Sequence, residues 1–404
     1  MEQVEQPYHP HAGPRAGSPW PTVLRGAAAL AAAMGVGRFA YTPIMPLMHA
    51  QAGLSNTAGA SLATANYIGY LVGALLGIAA PALLRSRAAL RVGMLVLAAT
   101  LAMMPLTHSG DAWWTLRLVA GAASALVFVI ATSSMLSGLA SHAEHFTGWA
   151  FGGVGAGIAL SGLMVTLVQH TGSWRAAWLA CAALTVLMSA AAWNLLAGAE
   201  RDVASADVAP AAEPGRPRTH RWFVALLASY TLEGIGYIIA GTFLVAAVQQ
   251  GTPGWLGSGA WTVVGLAALP SCALWLRLAR HLSRPALLLL SLSLQAVGIA
   301  LPGLFDGSTA ALGAAVLFGA TFVGVSTLAL AIGTHLQVPR AVALLTAGYS
   351  IGQILGPLLA APLLRHGYHQ ALLLSAVLVL ASACAAAACC LHFPHHLTPR
   401  PRTA

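Results

Sequence analysis

Charge is what this 404-residue sequence lacks most: Asp, Glu, Lys and Arg together make up 7% of it, against 58% hydrophobic residues. A soluble domain carries about a quarter charged residues, because water must wet its surface. That class is excluded, and lipid is left as the main solvent. Lysine is missing altogether, so all 19 basic residues are arginines. With the abundant alanine, this reads as the codon bias of a GC-rich genome. Cysteine is scarce, and Cys181, Cys272, Cys384, Cys389 and Cys390 all fall in apolar stretches, which reads as buried thiols rather than a disulfide framework. The sequence contains no P-loop, no nucleophile elbow and no HExxH helix. It points to no catalytic residues and no cofactor, so energy must come from a gradient or not at all. The net charge of +9 does not indicate nucleic acid, since the arginines are scattered over short loops instead of massed on one face. His142, Glu144 and His145, and His392, His395 and His396 beside Cys389 and Cys390, match no zinc spacing. They read as solvated loop residues, and no metal is expected.

What is present is a series of apolar stretches. About 20 residues are needed to cross the hydrocarbon core as a helix, and twelve stretches qualify: 22–49, 57–84, 88–107, 112–140, 147–170, 174–197, 221–248, 258–280, 285–304, 309–332, 341–363 and 370–393. With the amino terminus inside, the outer loops hold only Arg175 and Arg365, and the inner loops and tails hold the other loop arginines. The positive-inside rule therefore places both termini in the cytoplasm. Residues 1–20 are polar and proline-rich, unlike a signal peptide, and read as a disordered cytoplasmic tail. Residues 198–220 carry four of the 10 acidic residues and read as a flexible linker. The expected organisation is an all-α membrane protein: a six-helix bundle over 21–197, the linker, a second bundle over 221–393 and a tail over 394–404.

The two halves echo each other. Gly35-Val36-Gly37 in the first span recurs as Gly234-Ile235-Gly236 in the seventh. In the fifth span Gly153, Gly157 and Ser161 stand four apart, as Gly348, Gly352 and Gly356 do in the eleventh. Such echoes fit a duplicated six-helix unit, a repeat architecture of secondary transporters. Gly69, Gly73 and Gly77 form a third ladder. Small residues at this spacing let helices approach closely, so all these glycines read as packing or gating surfaces.

Intramembrane charges are costly and each needs a reason. Glu233 is the one acidic residue of the 10 that falls inside a span rather than in a tail, a loop or a helix end. A helical rise of about 1.5 Å per residue puts it near mid-membrane. Burial there penalises the ionised form, which suits a group that takes up and releases a proton; the alternative is a permanently protonated carboxyl bonded to a neighbouring carbonyl. Arg38, in GVGRFAYTPIMP, cannot shed its proton. It reads as an anchor for an anionic solute group or a partner for Glu233, with snorkelling as the alternative. Arg117, in WWTLRLVAGAASA, lies nearer a helix end, and the same two readings apply. Tyr41, Asn66, Tyr67, Tyr237, Thr242, Thr321, Phe322 and Gln353 lie near these charges in their spans and are candidates to line a cavity. Pro43, Pro46, Pro270 and Pro357 are candidate kinks.

Arg117 and Gly121 in LRLVAGAASA, the run GGVGAGIALSG at 152–162 and the loop LLRSRAALR resemble motifs of the major facilitator superfamily. The loop lacks the Asp that usually precedes its arginines. GVGRFAYTPIMPLM at 35–48, NYIGYLVGALLG at 66–77, LEGIGYIIAGTFL at 232–244, LFGATFVGVSTLAL at 317–330 and GYSIGQILGPLL at 348–359 are similar to the YbfB/YjiJ branch. The resemblance implies two pseudo-symmetric bundles around a cavity lined by the first, fourth, seventh and tenth helices. The expected protein is a monomeric secondary transporter in a bacterial inner membrane, with a small-molecule substrate and lipid as its partners, and protons on the strength of Glu233. A membrane sensor that kept the fold, or a membrane-embedded enzyme, would be the rivals.

Overall fold

The computed structural model describes residues 18–139, 144–169, 172–197, 219–251, 255–338, 340–391 and 393–394. The expected tails and linker lie almost wholly outside these residues, as do the side chains of both histidine clusters. Among the described residues, twelve helices are long and apolar enough to cross a membrane. They are α1 (Trp20–Ala52), α2 (Asn56–Ala79), α3 (Arg87–Leu106), α4 (Gly110–Gly138), α5 (Phe146–Val168) and α6 (Trp174–Ala192), then α7 (His220–Gln250), α8 (Gly259–Leu278), α9 (Arg284–Leu304), α10 (Ser308–His335), α11 (Ala341–Arg365) and α12 (Tyr368–Cys390). Local chemistry sets the joints. Gly53 takes a left-handed φ of 69° and ends α1, a conformation that costs a residue with a Cβ. The hydroxyls of Ser55, Ser86, Ser109 and Ser173 accept the N–H three residues on, capping α2, α3, α4 and α6.

Two expected boundaries are corrected: the sixth span does not run to 197, since α6 ends at Ala192 and a separate turn, Leu195–Ala197, follows. The second span does not run to 84: α2 stops at Ala79, and a separate turn, Pro81–Leu84, follows. Pro81 has no N–H to continue the ladder.

The polarity of the molecule is inverted relative to a soluble protein. Its exterior is apolar, with Leu75, Ile78, Leu167, Leu187, Leu266, Val297 and Val377 among the exposed residues. Arg38, Arg117 and Glu233 are 3%, 2% and 0% exposed. Burial at that depth removes snorkelling as an explanation for either arginine, because a snorkelling head must reach water.

The glycine ladders show how each half is built. Gly153 lies against Ala27 of α1, and Gly157 against Ala31 and Gly35. In the other half Gly348 lies against Thr231 of α7, Gly352 against Thr231 and Ile235, and Gly356 against Ile238. So α5 sits on α1 as α11 sits on α7, and the sequence echo has a spatial counterpart. A different face of α5 meets the other half: Gly148, Gly152, Gly155 and Gly162 pack against Ala273, Leu269, Ala268 and Thr262 of α8.

Five described hydrogen bonds cross between the halves, and all lie from mid-membrane toward the Gly53 end. Arg38 Nη2 donates to Gln353 Oε1 at 2.7 Å, and Thr42 Oγ1 to the Gly241 carbonyl at 2.5 Å. Tyr67 and Thr242 share a hydrogen bond of 2.9 Å. Asn56 Nδ2 donates to the Leu364 carbonyl at 3.0 Å, and Tyr368 Oη to Asn56 Oδ1 at 2.8 Å. The halves also pack through α5 with α8 and through α2 with α11, whereas α4 makes no extensive packing with α10 or α11.

Candidate functional site

The site begins with a break in α1. Residues 31–36 form a π-helical turn in which Gly37 N–H donates to Ala32 O at 2.8 Å, and Phe39 N–H then donates to Met34 O at 3.2 Å. Such turns are concentrated at functional sites. Pro43 brings no N–H to Phe39 O, and Thr42 N–H takes that acceptor at 3.2 Å. The Arg38 carbonyl is thereby left free of the helix, and Arg117 Nη2 donates to it at 3.2 Å. The distortion thus lies just before Pro43, over residues 31–40, and it ties α1 to α4 through a backbone oxygen.

Both guanidiniums lie among aromatic rings. The Arg38 carbon Cζ is 4.1 Å from the Tyr70 ring centre, 5.1 Å from Tyr67 and 5.3 Å from Phe39. Arg117 is 4.9 Å from Tyr41 and 6.0 Å from Trp178, contacts within cation–π range. Arg38 Nε, Arg117 Nε and Arg117 Nη1 have no hydrogen-bond partner. The expected pairing of Arg38 with Glu233 is not formed in this conformation: Arg38 bonds to Gln353, and Glu233 Oε1 accepts from Gln295 Nε2 of α9 at 3.2 Å. Tyr349 approaches the Glu233 carboxyl closely enough to act on it, but Oε2 meets no partner in hydrogen-bond geometry, and neither does Gln295 Oε1.

The remaining expected residues divide into two groups. Asn66 Nδ2 donates to the Arg117 carbonyl at 2.9 Å and fixes α2 against α4. Tyr41 Oη donates to Gly59 O at 2.9 Å. Tyr67, Thr242 and Gln353 join the halves, as above. Thr321, in contrast, turns its hydroxyl back to Leu317 O and Phe318 O of its own helix, which satisfies it locally.

The C-terminal half contributes a column of near-parallel rings, closed into a triangle where Tyr237 also meets Phe318 at 6.2 Å, that sequence reading sees only in part. Tyr230 stacks on Tyr349 at 4.3 Å, Tyr349 on Tyr237 at 5.6 Å, Tyr237 on Phe322 at 5.8 Å and Phe322 on Phe318 at 5.3 Å. Successive planes are inclined by 18°, 18°, 9° and 12°. Phe39 lies edge-on to Phe322 and to Trp261, each at 6.2 Å, and so joins the column to the helix carrying Arg38. Tyr237 and Phe322 were legible as polar or aromatic residues near a charge. Tyr230, Phe318, Tyr349 and Gln295 were missed, and aromatic scarcity, at 7% of the chain, was the one available signal.

Comparison with known proteins agrees with this architecture. Residues 30–390 match the family model described as "Uncharacterised MFS-type transporter YbfB". No curated protein matches the chain. Among solved structures, the nucleoside transporter NupG is similar in fold, with a TM-score of 0.67 at 15% identity over 91% of this chain and 98% of that one. A point mutant of NupG gives 0.68 at 14% identity, over 91% and 99%. At such identity the likeness concerns the fold. The family match covers most of the chain and nearly every helix described above, and the chain belongs to the YbfB-type transporters of the major facilitator superfamily.

Proposed function

We propose that this protein is a proton-linked secondary transporter of a small organic solute, working by alternating access in a bacterial inner membrane as a monomer, with both termini cytoplasmic. Arg38 and Arg117 hold the solute, and Glu233 carries the proton. The observation that carries the reading is the one-sided seal: hydrogen bonds between the halves run from Arg38–Gln353 to Asn56–Tyr368 and lie toward one end of the bundle. With arginine-rich loops inside, that end faces outward, and we read the conformation as one sealed toward the outside. Two packings of rigid halves around a fixed site are what alternating access requires.

The proton role rests on a donor count. Glu233 Oε2 and Gln295 Oε1 are buried without a partner in hydrogen-bond geometry, on side chains already joined by one hydrogen bond, although Tyr349 lies near the carboxyl. A proton on Oε2 supplies a donor to this pair, and a neutral carboxyl avoids the cost of burying a charge. This conformation is therefore read as the protonated one.

Alternating access is tested by locking the seal. The five native cysteines are first replaced. Asn56→Cys and Tyr368→Cys are then joined by a short, reducible bifunctional thiol reagent that spans the lost tyrosine. In proteoliposomes holding a pH-sensitive dye, a metabolite panel is screened for solutes whose entry moves protons. Crosslinking is expected to stop that signal and reduction to restore it. An unchanged rate in the crosslinked protein would rule out the mechanism.

A further inference from the structure

Resting on the transporter reading for its site but not for its chemistry, we infer that the ligand is an aromatic carboxylate: its acid group lies between Arg38 and Arg117, and its ring packs against the Tyr237–Phe322 column. Three observations converge. First, two guanidiniums that cannot lose their protons lie nearly fully buried, and neither is paired with a carboxylate. The groups around them are the rings of Tyr70, Tyr67, Phe39, Tyr41 and Trp178, while Glu233 is bonded to Gln295. Two buried cations in low dielectric require a counter-charge, and no described residue of this chain supplies one at the site. A bound anion does.

Second, the donors match an acid in number. Arg38 Nε, Arg117 Nε and Arg117 Nη1 are unpartnered, and a carboxylate offers two oxygens with about four acceptor positions. Charge-assisted bonds of this kind are roughly twice as strong as neutral ones. A hydroxylated neutral solute could satisfy the donors but would leave the charge uncompensated.

Third, the half opposite the arginines supplies near-parallel aromatic rings, which pack on one another and are buried in this conformation. The rings of Tyr237 and Phe322 are inclined by only 9°, and Phe39, next to Arg38 in sequence, touches the edge of that stack. A planar ring lies on such faces in the offset geometry aromatic pairs favour. An acid group at Arg38 also competes with Gln353 for Nη2, and so loosens one of the bonds between the halves.

The test uses the full-length protein in detergent and in proteoliposomes, with benzoate, phenylacetate and cinnamate as probes, each beside its own amide. Cyclohexanecarboxylate serves as the non-planar acid. At least one aromatic acid is expected to raise the melting temperature in a concentration-dependent way, with no shift from its amide. Arg38→Gln and Arg117→Gln are each expected to weaken that binding by about tenfold or more, and Phe322→Leu to weaken the aromatic acid more than cyclohexanecarboxylate. Equal binding of acids and amides, no binding by any of the three acids, or wild-type affinity in both arginine variants would overturn the assignment. If a variant fails to fold, the wild-type comparison of acid with amide decides alone. Acid binding without flux would sink the transporter reading and spare the anion site. Flux of neutral amides with no acid bound would do the reverse.

Discussion

Replacing Glu233 with glutamine is expected to abolish proton-driven accumulation of solute while leaving the protein folded and still able to exchange solute across the membrane. Glutamine has nearly the shape of the protonated carboxyl. Its carbonyl can accept from Gln295 Nε2, and its amide nitrogen provides the donor that Glu233 Oε2 lacks when ionised. The variant is thus a permanent copy of the protonated state, and the buried pair loses nothing in polar satisfaction. What it cannot do is release a proton on the far side. With one proton per solute, a gradient of one pH unit is worth about 1.4 kcal/mol, or about tenfold accumulation. In the variant this ratio falls to one, and counterflow continues. A variant that still accumulates solute against its gradient would remove Glu233 from the coupling. The opposite failure, loss of both accumulation and counterflow in a folded variant, would mean that ionised Glu233 is needed for the conformational change itself.

The division of labour between the halves follows from the same geometry. Fixed positive charge sits on α1 and α4 of the first half, and the titratable carboxyl and the stacked rings sit on α7, α10 and α11 of the second. No bond joins Arg38 to Glu233 here, so solute and proton need not compete for one guanidinium. Their common element is the packing of α7 between them. Tyr237 belongs to the ring column, one helical turn from Glu233, and Phe39 joins that column to the helix carrying Arg38. Protonation can bias the position of α7 and solute can bias it again, which is a two-state element that both ligands act on.

How much of this was legible in advance depended on whether a residue's reason was local. The twelve spans were, because hydrocarbon thickness fixes their length and loop glycines and serines fix their ends. The depth of Arg38, Arg117 and Glu233 was, because helical rise converts sequence position into membrane position. The partners of those charges were not. Gln295 is one amide in LSLSLQAVGI, on α9, and nothing in one sequence says which face of a neighbouring helix it meets. The α1 break was also hidden: prolines at 43 and 46 announce a kink, but its displacement onto residues 31–40 depends on which carbonyls Thr42 N–H and Gly37 N–H choose.

The α2 glycines give the clearest separation of pattern from place. Gly69, Gly73 and Gly77 look alike in sequence, yet Gly69→Ala and Gly73→Ala are expected to be damaging and Gly77→Ala to be tolerated. A Cβ on Gly69 would collide with the Leu118 carbonyl of α4, and one on Gly73 with the Ala122 carbonyl. Backbone cannot step aside as a flexible side chain can, so α2 and α4 must separate. That loosens Gly121, which packs reciprocally on Asn66 and Tyr70, and with it the Asn66 bond that holds the Arg117 backbone. Overpacking of this kind costs about 1–3 kcal/mol, and here it also moves a guanidinium. A Cβ on Gly77 would meet Leu84 and Val129 side chains at 3.6 Å, ordinary contact distance. There the gain in helix propensity, up to about 1 kcal/mol, goes unopposed. Thermal unfolding in detergent should therefore show losses at 69 and 73 and no loss at 77. Binding at the arginine pair should weaken in the first two variants and hold in the third. Equal losses at all three positions would mean that the third step of the ladder also seats against a helix, in a conformation other than this one.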